Sequence, residues 1–184
     1  MRLYHHCNDL VIQVICRLDN MKYIWAPWRI EYILEAKDSK SEGCILCQKP
    51  TESTDEANLI LHRGKSNFII LNAYPYNPCH LMVAPYRHIN KLEDLNDEES
   101  TEHFFLIKLS IRLLKSAIEP SGFNTGMNLG RVAGAGIEDH IHTHIVPRWQ
   151  GDTNFISVLG DTKVIPQALA TSYINLRKIL QNLI

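Results

Sequence analysis

His140-Ile141-His142-Thr143-His144-Ile145-Val146-Pro147-Arg148 is the stretch from which the rest of the chain is best read. In an extended strand alternate side chains share one face. His140, His142 and His144 would then line up at intervals of about 6.6 Å, with Ile141, Thr143 and Ile145 turned to the other side. Three imidazoles in a row are costly in a core. A solvated edge or a histidine-rich surface tract is the plain alternative, but strict alternation followed by Pro147-Arg148 points to chemistry. A three-histidine catalytic metal site is disfavoured, because successive ligands on one strand require the middle one to point differently.

Outward from this strand, expected over Ile141 to Val146, Thr125 to Gly130 reads as a neighbouring strand. Between them lies the glycine-rich run Arg131-Val132-Ala133-Gly134-Ala135-Gly136. Upstream, Asn67 to Asn72 and His80 to Pro85 read as two buried strands, and Pro75, Asn77 and Pro78 make the connection a hairpin with a wide loop. Asn96 stands before Asp97, Glu98 and Glu99, a capping residue followed by acids suited to the positive end of a helix. Phe104, Ile107, Ile111, Leu114 and Ile118 continue at three- and four-residue spacing, which predicts an apolar stripe against a sheet, stopped by Pro120 and Gly122. A second helix is expected from about Pro166, at its first turn, to the C-terminus. The class is α+β: an antiparallel sheet with helices packed mainly on one face.

Composition narrows the function. The chain has 184 residues, of which 45% are hydrophobic and 21% charged, so it is an ordinary globular domain rather than a disordered or fibrous one. A formal net charge of -1 supplies no basic field for a nucleic acid polymer, so a nucleotide ligand must be captured locally. Leu10 to Cys16 is too short to span a bilayer and lacks a small-residue cleavage site; Ile15 also argues against a lipoprotein cysteine at Cys16. Five scattered cysteines do not make a disulfide framework, which implies a reducing, cytoplasmic location. The texture changes at Met21, where Met21-Lys22-Tyr23-Ile24-Trp25-Ala26-Pro27-Trp28-Arg29 begins. Residues 1–20 are read either as an extension upstream of the true start or as a mobile N-terminus, and residues 21–184 as the working domain. Trp25, Trp28 and Trp149 serve packing or a subunit seam before they serve a ligand.

Cys44 and Cys47 form a Cys-x-x-Cys pair, which taken alone is a redox motif, half a zinc site or two small buried residues. Gly134 and Gly136 either let the backbone approach phosphates or simply turn the chain between strands. Asn72 either contacts a ligand or bonds its own turn.

The alternating histidines followed by two apolar residues resemble the motif of the histidine triad (HIT) superfamily, and the resemblance runs from about Tyr23 to the C-terminus. Leu71-Asn72-Ala73-Tyr74-Pro75-Tyr76-Asn77-Pro78-Cys79-His80-Leu81-Met82-Val83 and Val146-Pro147-Arg148-Trp149-Gln150-Gly151-Asp152-Thr153-Asn154-Phe155 resemble its bacterial diadenosine-polyphosphate phosphorylase and hydrolase branch. Thr143 in place of an apolar residue and Cys79 in place of the commoner glycine depart from the pattern. The resemblance implies an enzyme that moves a nucleoside monophosphate from a dinucleoside polyphosphate to phosphate or water, with His142 as nucleophile and His144 on phosphate oxygens. It implies substrate contacts from Asn72, His80, Asn128, Gly134 and Gly136. It further implies a structural zinc held by Cys44, Cys47, His88 and His140, and a homodimer whose sheets join. Hydrolysis of adenosine phosphoramidate-type bonds, or a nucleotide-binding module with vestigial turnover, are the rival readings. A chain starting at Met21 is expected to keep the soluble yield and melting temperature of the full chain; loss of either shows that residues 1–20 pack on the domain.

Overall fold

The computed structural model describes residues 43–152 and 168–184; residues 1–20, Met21, Trp25, Trp28 and the expected helix start at Pro166 lie outside the described residues. In chain order the elements are α1 (Ile45–Gln48), β1 (Ile60–Arg63), β2 (Asn67–Leu71), β3 (Leu81–Pro85), α2 (Asp97–Ile118), β4 (Gly122–Met127), β5 (Thr143–Arg148) and α3 (Leu169–Leu180). The strands form one antiparallel sheet in the order β1-β2-β3-β5-β4. β5 is therefore an inner strand. Its Thr143, His144 and Ile145 stand opposite Val83, Met82 and Leu81 on one side and Met127, Gly126 and Thr125 on the other.

Because side chains alternate along a strand, this register assigns every residue to a layer. Ile69, Leu71, Leu81, Val83 and Ile145 face the helices and pack with Leu106, Leu109, Leu113 and Leu114 of α2 and Tyr173, Leu176 and Leu180 of α3. Phe68, Ile70, Met82 and Ala84 face the other way and are covered by Leu46 of α1. His144, opposite Met82, shares this second face. Leu46 is fully buried, and its burial, about 1.5–3 kcal/mol for a side chain of this size, docks the four-residue α1 to the sheet.

α2 begins as expected. The Asn96 side chain accepts the Glu99 N–H at 2.9 Å while the Glu99 carboxylate accepts the Asn96 N–H at 3.0 Å, a capping box at the positive end of the helix. Its buried face is different from the stripe read in the sequence. His103, Leu106, Leu109, Ser110, Leu113 and Leu114 are buried; Ile107, Ile111 and Ile118 flank them, and Phe104 is 65% exposed. Two aliphatic stripes overlap on this helix, and the one that meets the sheet contains His103 and Ser110, whose polarity disguised it.

Strand starts also shift, and one strand is added. β4 starts at Gly122 instead of Thr125, since Glu119 takes the left-handed conformation (φ 44°) and the chain turns from helix to strand within three residues. β5 starts at Thr143, so His140 and His142 lie in the irregular segment leading into it. β1, absent from the sequence reading, buries Ile60 and Leu61 and then turns outward, which is too short a run to show a period.

The N-terminus of α2 is tied to the sheet by charge. Arg87 donates to both Glu99 oxygens, at 2.9 and 2.7 Å, and this pairing, against the opposing effect of burial, lowers the Glu99 pKa to about 2. A depressed carboxylate stabilises the fold above its unfolded pKa and ceases to do so as pH falls through the folded one. The urea midpoint of the wild type should therefore fall more steeply than that of Glu99→Gln as pH drops from about 4.5 to about 2, and parallel curves would refute the role of this pair.

Candidate active site

The face of the sheet that looks away from α2 and α3 carries His144 on β5, with His140 and His142 in the segment leading into it, and each imidazole is held in a defined tautomer. His142 is 4% exposed; its Nδ1–H donates to the His140 carbonyl at 2.8 Å, which leaves the lone pair on Nε2. Burial lowers its pKa, and the bond to His140 only partly opposes this, so the ring is neutral near pH 7.

His144 is set from the next strand. Asn72 Nδ2 and the Tyr76 backbone N–H both donate to His80 Nδ1, each at 3.2 Å, which puts the His80 proton on Nε2. That Nε2–H donates to His144 Nδ1 at 3.0 Å, so the neutral His144 carries its own proton on Nε2. The His142 and His144 rings meet edge to face with centroids 4.8 Å apart, and Tyr76 lies 4.8 Å from His80 and 5.7 Å from His144. A nucleophilic nitrogen and a proton-bearing nitrogen thus come from neighbouring side chains on one face.

The wide hairpin loop that delivers Asn72, Tyr76 and His80 is clamped to the far end of β5. Asn77 Nδ2 donates to the Pro147 carbonyl and to Asp152 Oδ2, both at 2.8 Å. Arg148 grips Asp152 through Nε and Nη2, and Nη1 reaches Asn124 on β4. This pairing, supported by Asn77, holds the Asp152 carboxyl well below the usual carboxylate range. Trp149, half-buried, adds its backbone N–H to the same carboxylate. Sequence reading passed over Tyr76, Asn77, Arg148 and Asp152 as site-shaping residues, although each stands within the quoted runs around the triad.

The remaining expected contacts divide. Asn72, partly buried, accepts the Tyr74 N–H through Oδ1 at 2.9 Å and serves His80 through Nδ2. His80 is fully buried, and its ring nitrogens hydrogen-bond to Asn72, to the Tyr76 backbone and to His144. Asn128 continues β4 alongside the triad segment and its Nδ2 donates to the Gly134 carbonyl at 3.2 Å. Gly134 adopts φ 85°, a conformation that a side chain would strain, in an exposed loop that also holds Gly136. Cys79 takes φ 58° despite its Cβ and is buried against α3; burial pushes its thiol pKa up, so it is an inert packing residue.

His140 belongs to a different cluster. Its Nε2–H donates to the Pro85 carbonyl at 2.8 Å, directing the Nδ1 lone pair at Cys44 Sγ, 3.3 Å away, and Cys47 Sγ, 3.4 Å away. His88 Nδ1 lies 3.3 Å from Cys47 Sγ, and the four ligand atoms all fall within 4.8 Å of one another. These sulfur to nitrogen separations are close to the edge of about 3.6 Å that metal bonds of about 2.1–2.3 Å would give in a tetrahedral site, and a carbonyl that fixes the tautomer of a ligating histidine is the usual outer support. The residues can hold a metal ion. Burial, then the neighbouring Cys44, raise the Cys47 thiol pKa to about 11, so a bound cation would have to displace that proton.

Comparison with known proteins agrees with this arrangement. The sequence profile of the HIT domain matches residues 53–151. The AP-4-A phosphorylase of Mycobacterium tuberculosis is 46% identical over 156 residues, 82% of this chain and 80% of that protein. The asymmetrical bis(5'-nucleosyl)-tetraphosphatase of Schizosaccharomyces pombe is 30% identical over 93 residues, 50% of each chain. Among solved structures, a zinc-bound histidine triad family protein from Mycobacterium smegmatis superposes with a TM-score of 0.60 at 22% identity, over 78% of this chain and 96% of the other. A uridylyltransferase does so with 0.63 at 16% identity, over 86% and 51%. At those identities the structural likeness is one of fold. The profile match covers more than half of the chain and includes the histidine segment, and on that ground the chain belongs to the HIT domain family.

Proposed function

We propose that this chain is a nucleotidyl transferase or hydrolase that cleaves dinucleoside polyphosphates through a covalent nucleotidyl-His142 intermediate, with phosphate or water as acceptor. The observation that carries this reading is the 2.8 Å bond from His142 Nδ1–H to the His140 carbonyl, which leaves the Nε2 lone pair available for attack. The class of substrate is supported by the relatives named AP-4-A phosphorylase and bis(5'-nucleosyl)-tetraphosphatase.

In the first step His142 Nε2 attacks the α-phosphorus of one nucleotide. An N–P bond forms, the bond from that phosphorus to the bridging oxygen breaks, and the electron pair leaves with the remaining nucleoside polyphosphate. In the second step an oxygen of inorganic phosphate, or of water, attacks the same phosphorus, and the N–P bond breaks to restore His142. Phosphate yields a nucleoside diphosphate; water yields a monophosphate and gives its proton to solvent. A covalent intermediate divides one difficult transfer into two easier ones. His144, whose Nε2–H is fixed by His80, stabilises charge on the phosphoryl oxygens as it builds. On this reading Asn128 and the loop of Gly134 and Gly136 meet the nucleotide beside the triad segment.

Zinc is the metal this reading assigns to Cys44, Cys47, His88 and His140. When bound it supplies a cross-link rather than chemistry: two thiolates from the start of α1 joined to two imidazoles, one of them on the segment that carries the nucleophile. A homodimer is part of this reading, because among the described residues β4 pairs with β5 alone and exposes Asn124, Thr125 and Gly126. No helix among the described residues is long and apolar enough to cross a membrane, and the free thiols of Cys44, Cys47 and Cys79 suit a reducing, cytoplasmic setting.

Incubation with labelled diadenosine tetraphosphate should trap label on the wild-type protein and none on His142→Ala, with turnover reduced by about three powers of ten or more, each factor of ten being about 1.4 kcal/mol of barrier. His144→Ala should still accept label, but slowly. Near wild-type turnover by His142→Ala would overturn the assignment, and wild-type binding without turnover would identify a nucleotide-binding module. Purified protein is expected to contain one zinc per chain. Cys47→Ala and His140→Ala should lose metal and melt at lower temperature, whereas a zinc-free wild type that is fully folded would refute the metal assignment.

A further inference from the structure

The helix-facing side of β5 contains one polar residue where an aliphatic would serve. Thr143 is 4% exposed and lies between His142 and His144 in the chain, with its side chain on the face packed by α2. Its hydroxyl hydrogen-bonds to His103 Nε2 at 2.7 Å. His103, 4% exposed on α2, is bound at Nδ1 by the Oδ1 of Asn67, 2.8 Å away, and Asn67 is fully buried. A carbonyl oxygen only accepts, so His103 carries its proton on Nδ1 and Nε2 accepts from Thr143. The Asn67 amide is oriented in turn, donating at 3.1 Å to both the Glu99 carbonyl and Glu102 Oε2. Glu102 also takes the backbone N–H groups of Lys65, Ser66 and Asn67.

The chain of bonds is complete. Among the described residues no buried side-chain nitrogen or oxygen lacks a partner. Three polar side chains in a seam between helix and sheet cost desolvation that an apolar packing would avoid, and what they add is direction. Thr143 is the first β5 residue in the ladder: it pairs with Val83 and Met127, and the segment carrying His140 and His142 precedes it. The direction in which His142 leaves the sheet is thus set where Thr143 is pinned. A slip of one residue would exchange the faces of Thr143 and His144 and break the bond to His103.

We propose that His103 is a positioning residue that holds the His142 and His144 pair in register through the Thr143 hydroxyl. This inference rests on the reading of His142 as nucleophile. Burial lowers the His103 pKa to about 4, so the same donor and acceptor pattern holds across the neutral range.

Thr143→Val removes the donor at almost constant volume, and Thr143→Ser retains it. In the metal-replete protein turning over diadenosine tetraphosphate, Thr143→Val should lower kcat about ten- to a hundredfold with KM nearly unchanged, as expected for a misplaced reacting group. Thr143→Ser should restore the wild-type rate. The 15N imidazole resonances of His142 and His144 should shift in the Val variant and keep their wild-type positions in the Ser variant. His103→Leu tests the same bond from the helix side and serves if the Val variant does not fold. Unchanged kcat and unchanged imidazole resonances overturn the inference, as does a lower melting temperature with unchanged kcat, which would make the bond a stabilising contact only. Failure of the wild type to form a nucleotidyl-enzyme would instead count against the proposed function, and the imidazole resonances would still decide the role of His103.

Discussion

The placement of β5 between β3 and β4 governs most of what this molecule can do. Pairing on both edges fixes its register to the residue, and a register in a two-sided sheet is also a decision about faces. Ile145 and Thr143 go to the helices, His144 goes to the opposite side with Met82, and the segment before the strand carries His142 and His140 across that same side. Had the ladder slipped by one residue, imidazoles would face Leu81, Val83 and the leucines of α2 without partners, at the cost of buried unsatisfied nitrogens.

Around that strand the structure uses backbone carbonyls and neighbouring side chains to choose tautomers. The Pro85 carbonyl selects the His140 nitrogen that faces the cysteines, the His140 carbonyl selects the His142 nitrogen that keeps its lone pair, and Asn72 acting through His80 selects the His144 nitrogen that bears a proton. Three histidines of the same type, two residues apart, acquire three different capacities. Two of the choices depend on a partner from another element, the end of β3 and the hairpin loop, and the third on a carbonyl within the lead-in to β5. The chemistry of the triad is in this sense a property of the sheet and its connections.

The two faces also differ in how they are held. Helices bury an aliphatic layer on one side, while on the other the small cluster of Leu46, Ile60, Phe68, Ile70, Met82 and Ala84 secures α1 and, with it, the cysteine pair. A four-residue helix has little stability of its own. Its attachment by Leu46 brings Cys44 and Cys47 to His88 and His140, the four residues that can hold a metal ion.

Local chemistry and period made much of this legible in the amino-acid order. The β2 and β3 hairpin, the Asn96 cap with its acidic first turn, the α+β class and the grouping of His142 with His144 follow from residue type and spacing over a few positions. The four metal-ligand candidates came from a family likeness, since Cys44 and His140 are 96 residues apart and nothing in their spacing joins them. What tertiary structure alone decided are the choices between locally equivalent options. α2 has two overlapping apolar stripes, and the sheet selected the one containing His103. Asn72 and His80 have side chains that suit a ligand or a neighbour, and only the folded hairpin brings the Tyr74 and Tyr76 N–H groups and His144 to them. β1 is too short to show an alternation. Thr143 looked like a minor departure from an apolar pattern until α2 brought His103 within 2.7 Å of its hydroxyl. Periodicity states that a face exists; only the elements packed against it state which atoms meet there, because hydrogen bonds depend on angles and distances that the order of residues does not contain.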